Sequence, residues 1–328
     1  MFILQLARRA AILGVATMLA LPAFAQQFPS KPIRIIVAFG PGGTTDTVWR
    51  LYGQKMTELL GTPVIIDNKP GGNQMVAIRQ ILQAPPDGHT LYAAVGSSLV
   101  FNPALRKDLP YDPLKDFSLI GIAVISPGVI FVKPDLPIRS IGELVAYARA
   151  NPGKLNYGSA GLGTAGHLSA EAILNTTQTK MTHIPYKADV DVIREVIAGN
   201  VQMGIFTTMN TVQYINAGQI RPLAVIAPHR LPYLPNVPSL AETDVKELAQ
   251  LEPHTYMALV GPAGMSPAVV TRINDAVNKI SAMPDVAARV RDGLYSEPAT
   301  ITPSDFRQFV AKEIAKWRIL GKNVKLDD

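Results

Sequence analysis

The sequence predicts a two-lobe α/β protein, each lobe a mostly parallel sheet flanked by helices. Three observations carry this. Short β-branched runs alternate with helical stretches along nearly the whole chain, the pattern of βαβ units. The length of 328 residues exceeds what one hydrophobic core usually serves. With 48% hydrophobic and 17% charged residues, the chain is too apolar for disorder and too polar for a multi-span membrane protein.

Taken in order, the chain opens with Met1 to Ala7 and Arg8-Arg9, then an apolar run from Ala10 to Leu21, and Pro22-Ala23-Phe24-Ala25. A basic start, a short apolar middle and a small-x-small end make residues 1–25 a secretory signal peptide cleaved after Ala25. The run falls short of the roughly 20 apolar residues that span a bilayer. The expected location is therefore a bacterial periplasm. Ile33–Phe39 reads as a strand ended by Gly40-Pro41-Gly42-Gly43. Thr44, Thr45 or Asp46 can cap the helix that follows, and Gly61 can stop it after Leu60. Val64–Asp67 is a second strand, Asn73–Gln83 a helix, and His89–Val95 a third strand ending in Gly96-Ser97-Ser98. The apolar stretch from Phe117 to Val132 is broken by Ser126-Pro127-Gly128 and suits two buried strands meeting at a turn.

The middle repeats the theme. Ser140 and Glu143 form a capping box for a helix to Ala150. Strands follow at Leu155–Gly158, Met181–Ile184, Met203–Phe206 and Leu223–Ala227, with helices at His167–Thr176, Val190–Gly199 and Thr211–Ala217. After a Pro-rich passage comes the strand Tyr256–Val260. Ser266-Pro267 and Thr302-Pro303 each place proline at the first helical position behind a capping hydroxyl. The C-terminus is therefore helical, over Ala268–Ser281, Asp285–Gly293 and Ser304–Leu320. The order of elements predicts that the chain crosses between lobes near Ser126 and again near Leu251. Residues 26–126 plus 252–328 then form lobe 1, and 127–251 lobe 2.

Composition removes several function classes. The chain has no cysteine, which excludes a disulfide framework, a thiolate zinc site, a cysteine nucleophile and an acylated N-terminal cysteine. The net charge is +6, but no Lys/Arg run exceeds two residues, so nucleic acid is not an expected partner. The five histidines form neither H-x-x-H nor H-E-x-x-H, and no metal is expected. A nucleophile elbow needs G-x-S-x-G, and the required first glycine is Tyr157 before Ser159 and Val95 before Ser97. The reading is a binding protein and not an enzyme, with no cofactor.

Two loops can carry binding chemistry. The first is Phe39-Gly40-Pro41-Gly42-Gly43-Thr44-Thr45-Asp46, where paired glycines let backbone approach a ligand and a helix directs its positive end into the loop. A carboxylate suits it. Asp46 is either a partner for an ammonium, amide or hydroxyl group, or a cap for the helix. The second loop runs from Tyr157 to His167 and holds G-x-G-x-x-G at 161, 163 and 166, between a strand and a helix. A dinucleotide site would need an acidic residue ending the next strand. Here His183-Ile184-Pro185-Tyr186-Lys187 stands there, with Asp189 poorly placed. The same geometry serves any small anion. His167 at the helix start is expected to cap or pack. Trp49 and Trp317 are expected in the core.

These loops, in this order, resemble the Bug-type receptors of tripartite tricarboxylate transporters. The resemblance is carried by Pro32-Ile33-Arg34-Ile35-Ile36-Val37 with Pro41-Gly42-Gly43-x-x-Asp46, by Asn68-Lys69-Pro70-Gly71, and by Pro86-Asp87-Gly88-His89-Thr90-Leu91. Gly161-x-Gly163-Thr164-x-x-His167-Leu168, His183-Ile184-Pro185-Tyr186-Lys187 and Leu234-Pro235-Asn236-Val237-Pro238-Ser239 extend it over the mature chain. It implies a Venus-flytrap fold, type II-like, that closes over a small carboxylate or amino-acid-like ligand. The expected protein is a monomer that serves membrane transporter subunits; the alternatives are a receptor that signals through a sensor domain and, more remotely, a secreted enzyme that processes a small anion. It also implies a first pincer of Phe39, Gly42, Gly43, Thr44 and Asp46, and a second of Ser159, Gly161, Thr164 and Ala165. Ser97 and Thr207 fall at strand ends facing the same cleft. Ala188, Val201-Gln202, Gly72-Asn73-Gln74 and Tyr256 depart from the usual pattern and bear on which acid is bound.

Overall fold

A computed structural model describes residues 28–251 and 255–321. The secretory leader expected over 1–25 lies outside these residues, and so does the expected lobe boundary at 252. The first part of the chain runs β1 (Ile33–Val37), α1 (Thr44–Leu60), β2 (Val64–Asn68), α2 (Met75–Leu82) and β3 (Thr90–Val95). A π-helical turn over Ser97–Phe101 leads into the short α3 (Asn102–Leu105), then β4 (Phe117–Ser126). Then come β5 (Gly128–Val132), α4 (Ile141–Ala150), β6 (Asn156–Ser159), α5 (Ala165–Thr177), β7 (Thr182–Pro185) and α6 (Asp189–Ala198). β8 (Met203–Thr207), α7 (Thr208–Asn216) and β9 (Arg221–Ile226) complete this part. The chain ends with β10 (Thr255–Pro262), α8 (Pro267–Ser281), α9 (Pro284–Ala288), β11 (Glu297–Pro298) and α10 (Pro303–Leu320).

Two sheets result. One has the order β11-β4-β10-β3-β1-β2 and the other β7-β6-β8-β5-β9. Both are mixed, which corrects the expectation of mostly parallel sheets. β1 is parallel to β2 and β3, but β10 is antiparallel to β3 and β4, and β11 to β4. In the second sheet β6 is parallel to β7 and β8, while β5 is antiparallel to β8 and β9. The cause is the connection between sheets. β4 ends at Ser126 and β5 starts at Gly128, so the chain passes from one sheet to the other with no crossover helix. A parallel return requires such a crossover, so strands that pass straight through lie antiparallel to their neighbours.

Several sequence start and stop signals are used as read, and one is shifted. Gly61 ends α1 in the left-handed region at φ 67°. Ser266 and Thr302 accept the N–H groups of Val269 and Asp305, each with proline in the first turn. Ser140 accepts from Glu143 N, while the Glu143 carboxylate reaches Arg139 N and not Ser140 N, so the box closes one residue early.

The core lies on both faces of each sheet. Trp49 is fully buried against Tyr52 with ring centroids 5.8 Å apart, and Trp317 meets Phe101 edge-on at 4.9 Å. Burying such side chains contributes about 2–3 kcal/mol each. Leu168 and Ala172 of α5 share a buried cluster with Phe101 and Trp317, so the two sheets' layers meet through apolar contact beside the cleft. Among the described residues, no helix is long and apolar enough to cross a membrane.

Candidate functional site

Between the sheets lies a cavity of about 260 Å³. That is at the small end of ligand pockets, the size for a metabolite with a few polar groups. Five helices begin at its wall. Thr44 and Thr45 open α1, Ala165 opens α5 and Asp189 opens α6, while Gln74 and Thr207 immediately precede α2 and α7. Each helix start carries unpaired N–H groups and the positive end of a helix dipole. Among the described residues no lysine or arginine lines the cavity, so its affinity for an anion rests on backbone and hydroxyl donors.

The first loop is braced by its own acid. Asp46 is 2% exposed and turned back beneath the loop. One carboxylate oxygen accepts from Gly42 N and Arg50 Nε, both at 2.9 Å, and the other accepts from Asn68 Nδ2 at 2.8 Å. Asn68 also donates to the Phe39 carbonyl at 3.0 Å, closing the loop from β2. Burial alone would push the Asp46 carboxyl up; the bonds from Arg50, Gly42 and Asn68 outweigh it and hold the group below the usual carboxylate value. The N-cap position itself is Gly43, with no side chain capping it, so none of Thr44, Thr45 or Asp46 stands there.

The second loop is braced by imidazoles. Ser159 Oγ is 2.7 Å from His183 Nε2, donates to Gly161 O at 3.0 Å and accepts from Gly161 N at 3.2 Å. Gly163 N donates to His167 Nδ1 at 3.1 Å, and Thr164 Oγ1 donates to Gly161 O at 2.8 Å. His167 stacks on His183 at 4.2 Å, and Tyr157 covers His183 at 4.9 Å while its hydroxyl donates to Glu171 at 2.6 Å. Accepting an amide N–H requires His167 Nδ1 to be unprotonated, which places the ring proton on Nε2. Burial pushes His167 down to about 4, and burial followed by the His167 neighbour takes His183 to about 4. His167 thus packs and caps, as its position at the helix start predicts.

Two glycines of this loop are fixed by geometry. Gly161 sits at φ +115°, where a side chain would strain the backbone. A Cβ on Gly166 would lie 2.6 Å from the Ile205 carbonyl, so the glycine lets α5 press onto β8.

Of the residues singled out from the sequence, Phe39, Thr44, Ser97, Thr164, Ala165 and Thr207 line the cavity. Gly42, Gly43, Asp46, Ser159 and Gly161 belong to the two loops without lining the cavity; Asp46 and Ser159 are buried, whereas Gly42 and Gly43 are exposed. Ser97 Oγ accepts from Gln74 Nε2 at 2.6 Å, and Gln74 Oε1 accepts from Tyr92 OH at 3.0 Å. That chain leaves the Ser97 proton free for the cavity. Thr207 is 8% exposed, and its hydroxyl has no hydrogen-bond partner among the described residues. A buried unpaired hydroxyl is costly, and at a cavity wall it is a ready contact for a ligand.

Sequence reasoning did not place Asp189 or Asn210 at the site, and it noted Asn73 and Gln74 only as departures bearing on the ligand, whereas all four line the cavity. Asn73 and Gln74 hold φ of +48° and +73°, in a region that favours glycine. Their presence within the glycine-rich run after Pro70 was the signal, since a side chain kept there at conformational cost has a use. Asp189 enters the sequence argument only as a poorly placed nucleotide ligand; its position at a helix start just beyond β7 is a cleft position in its own right. Asn210 gives no such signal, being one polar residue in the first turn of α7.

Comparison with known proteins decides the family. The profile described as tripartite tricarboxylate transporter family receptor matches residues 48–326. The chain belongs to this family. A UPF0065 protein of Bordetella pertussis is 36% identical over 312 residues, covering 94% of each chain. Among solved structures, R. palustris Rpa4515 with adipate has 30% identity and a TM-score of 0.78, covering 90% of this chain and 98% of the other. Periplasmic binding protein BugD has 27% identity and a TM-score of 0.75, covering 92% and 99%. MatC from Rhodopseudomonas palustris with bound malate has 26% identity and a TM-score of 0.76, covering 89% and 99%. The matching family is one of transporter receptors, and BugD is a periplasmic binding protein. The protein is thus a Bug-type receptor by family and a two-lobe α/β binding protein by fold.

Proposed function

We propose that this receptor captures a small carboxylated solute in the periplasm, between lobes 26–126 plus 252–328 and 127–251, for a tripartite tricarboxylate-type transporter. The observation that carries the reading is a small interlobe cavity ringed by helix N-termini and hydroxyls, with no cationic side chain among the described residues of its wall. A carboxylate placed there meets oriented N–H donors already held in position by the two braced loops. Phe39, Thr44, Ser97, Thr164, Ala165 and Thr207 form the contact surface, and Gly42, Gly43, Asp46, Ser159 and Gly161 hold its shape. The structures solved with adipate and malate support an organic acid as cargo. The receptor turns nothing over and releases the acid unchanged.

Thr164→Asp tests this. Asp is a favoured N-cap residue, so α5 keeps its start, but a negative charge now faces the anion site. Titration calorimetry against a panel of organic acids should show at least a tenfold loss in affinity, while the melt falls only by what the lost Thr164–Gly161 hydrogen bond contributes, about 1 kcal/mol. An unchanged affinity in a normally melting variant would show that the carboxylate is held elsewhere.

A further inference from the structure

Among the described residues, the cavity wall holds one ionisable side chain. Asp189 opens α6 and faces the cavity beside Asn210 of α7. Asn210 Nδ2 donates to Asp189 Oδ2 at 2.7 Å, which fixes the carboxylate in place. Asp189 Oδ1 accepts no hydrogen bond from the described residues, and no described lysine or arginine pairs with the group. The contrast with Asp46 is direct. Asp46 gathers three side-chain or backbone donors and is 2% exposed beneath the loop, so it is closed to a ligand. Asp189 has that capacity and stands in the cavity.

A half-buried carboxylate with an open oxygen favours a cationic donor. An acid with two carboxylates would bring like charge to this wall, and an acid that also carries an ammonium group would neutralise it. We propose that Asp189, positioned by Asn210, is the specificity-determining residue of the cavity and selects small zwitterionic acids whose ammonium group meets Asp189 while the carboxylate lies at the loop donors. Burial pushes the Asp189 carboxyl up to about 6, with the Asn210 bond opposing, so at neutral pH the group is ionised and in want of a partner. The inference rests on the carboxylate reading above and adds to it the second charge of the ligand.

The test uses matched acids that differ only in the ammonium group: L-glutamate against glutarate, and L-norvaline against pentanoate. Calorimetry of the wild-type receptor should favour the amino member of at least one pair by tenfold or more. Asp189→Asn, which keeps shape and the Asn210 contact, should erase that preference and leave the plain acid bound as well or better. Asp189→Ser, which keeps a helix-start residue, should do the same if the first variant melts abnormally. Plain acids binding as tightly as their amino partners in wild type would overturn the Asp189 inference and leave the carboxylate reading standing. A preference that survives both variants would overturn it too. Absence of binding by all four acids would remove both readings together.

Discussion

In the first cleft loop an ionised carboxylate points inward and gathers Gly42, Arg50 and Asn68. In the second, two neutral imidazoles do the equivalent work, His167 accepting from Gly163 and His183 meeting Ser159. Each loop presents a helix start to the same cavity. The difference teaches that loop shape, and not loop charge, is the shared requirement. It also divides the loops by their response to acid. A carboxylate held below its usual value keeps its bonds at mildly acidic pH, whereas a buried neutral imidazole is exposed to protonation.

The largest expected effect breaks the first brace. Asp46→Ala removes three charge-assisted or polar bonds at a 2% exposed position, leaving Gly42 N without its acceptor and Asn68 Nδ2 with Phe39 O alone. The loss should be about 4 kcal/mol, or roughly 10 °C in melting temperature for a chain of this size. A melt within about 2 °C of wild type would show that the brace contributes little. The sequence alone allowed Asp46 a direct part in choosing the ligand, and the Asp46 geometry moves the expected effect from selectivity to stability.

Much of this comparison was legible beforehand, for physical reasons that differ by residue. Helix limits at Gly61, Ser140, Ser266 and Thr302 were readable because their signals act within a single turn. The two glycine loops were readable because only glycine satisfies their backbone. Sheet direction was not, since pairing of β10 with β3 and β4 joins residues over a hundred positions apart, and no local pattern encodes it. The Asp189–Asn210 contact likewise joins two helix starts from different loops. A single polar residue at each place gives no hint of the other.

The second prediction concerns acid. Unfolded histidine titrates near 6.5, and His167 in the fold is pushed down to about 4 by burial. As pH falls below about 6.5 the unfolded chain therefore takes up the proton first. Stability from this site is complete above about 6.5, declines as pH falls towards 4, and is flat below that. The full loss approaches about 3 kcal/mol. His183 acts in the same direction. Asp189 acts in the opposite one: its carboxyl is raised to about 6, so its contribution is present at low pH and is lost as pH rises through that range. Melts of wild type and His167→Gln between pH 7 and 4.5 separate these terms. Wild type should lose the greater share, and parallel curves would show that His167 is not the acid-sensitive brace.

The smallest effect is the most diagnostic, because its sign differs between stability and binding. The Thr207 hydroxyl is buried at the cavity wall, and no described residue bonds to it. Thr207→Val replaces it with a methyl of nearly the same shape. If the hydroxyl serves only the fold, the change should cost stability and leave affinity alone. If it waits for a ligand, removing an unpaired polar group should stabilise the empty receptor by about 1 kcal/mol. The same change should weaken capture of the acid about tenfold, the equivalent of one hydrogen bond. Thermal melts without ligand and calorimetric titration with it read the two quantities on the same sample. A variant that melts higher and binds less assigns Thr207 to the ligand. One that melts lower and binds equally returns it to the scaffold, and leaves the second loop and Ser97 to supply the donors.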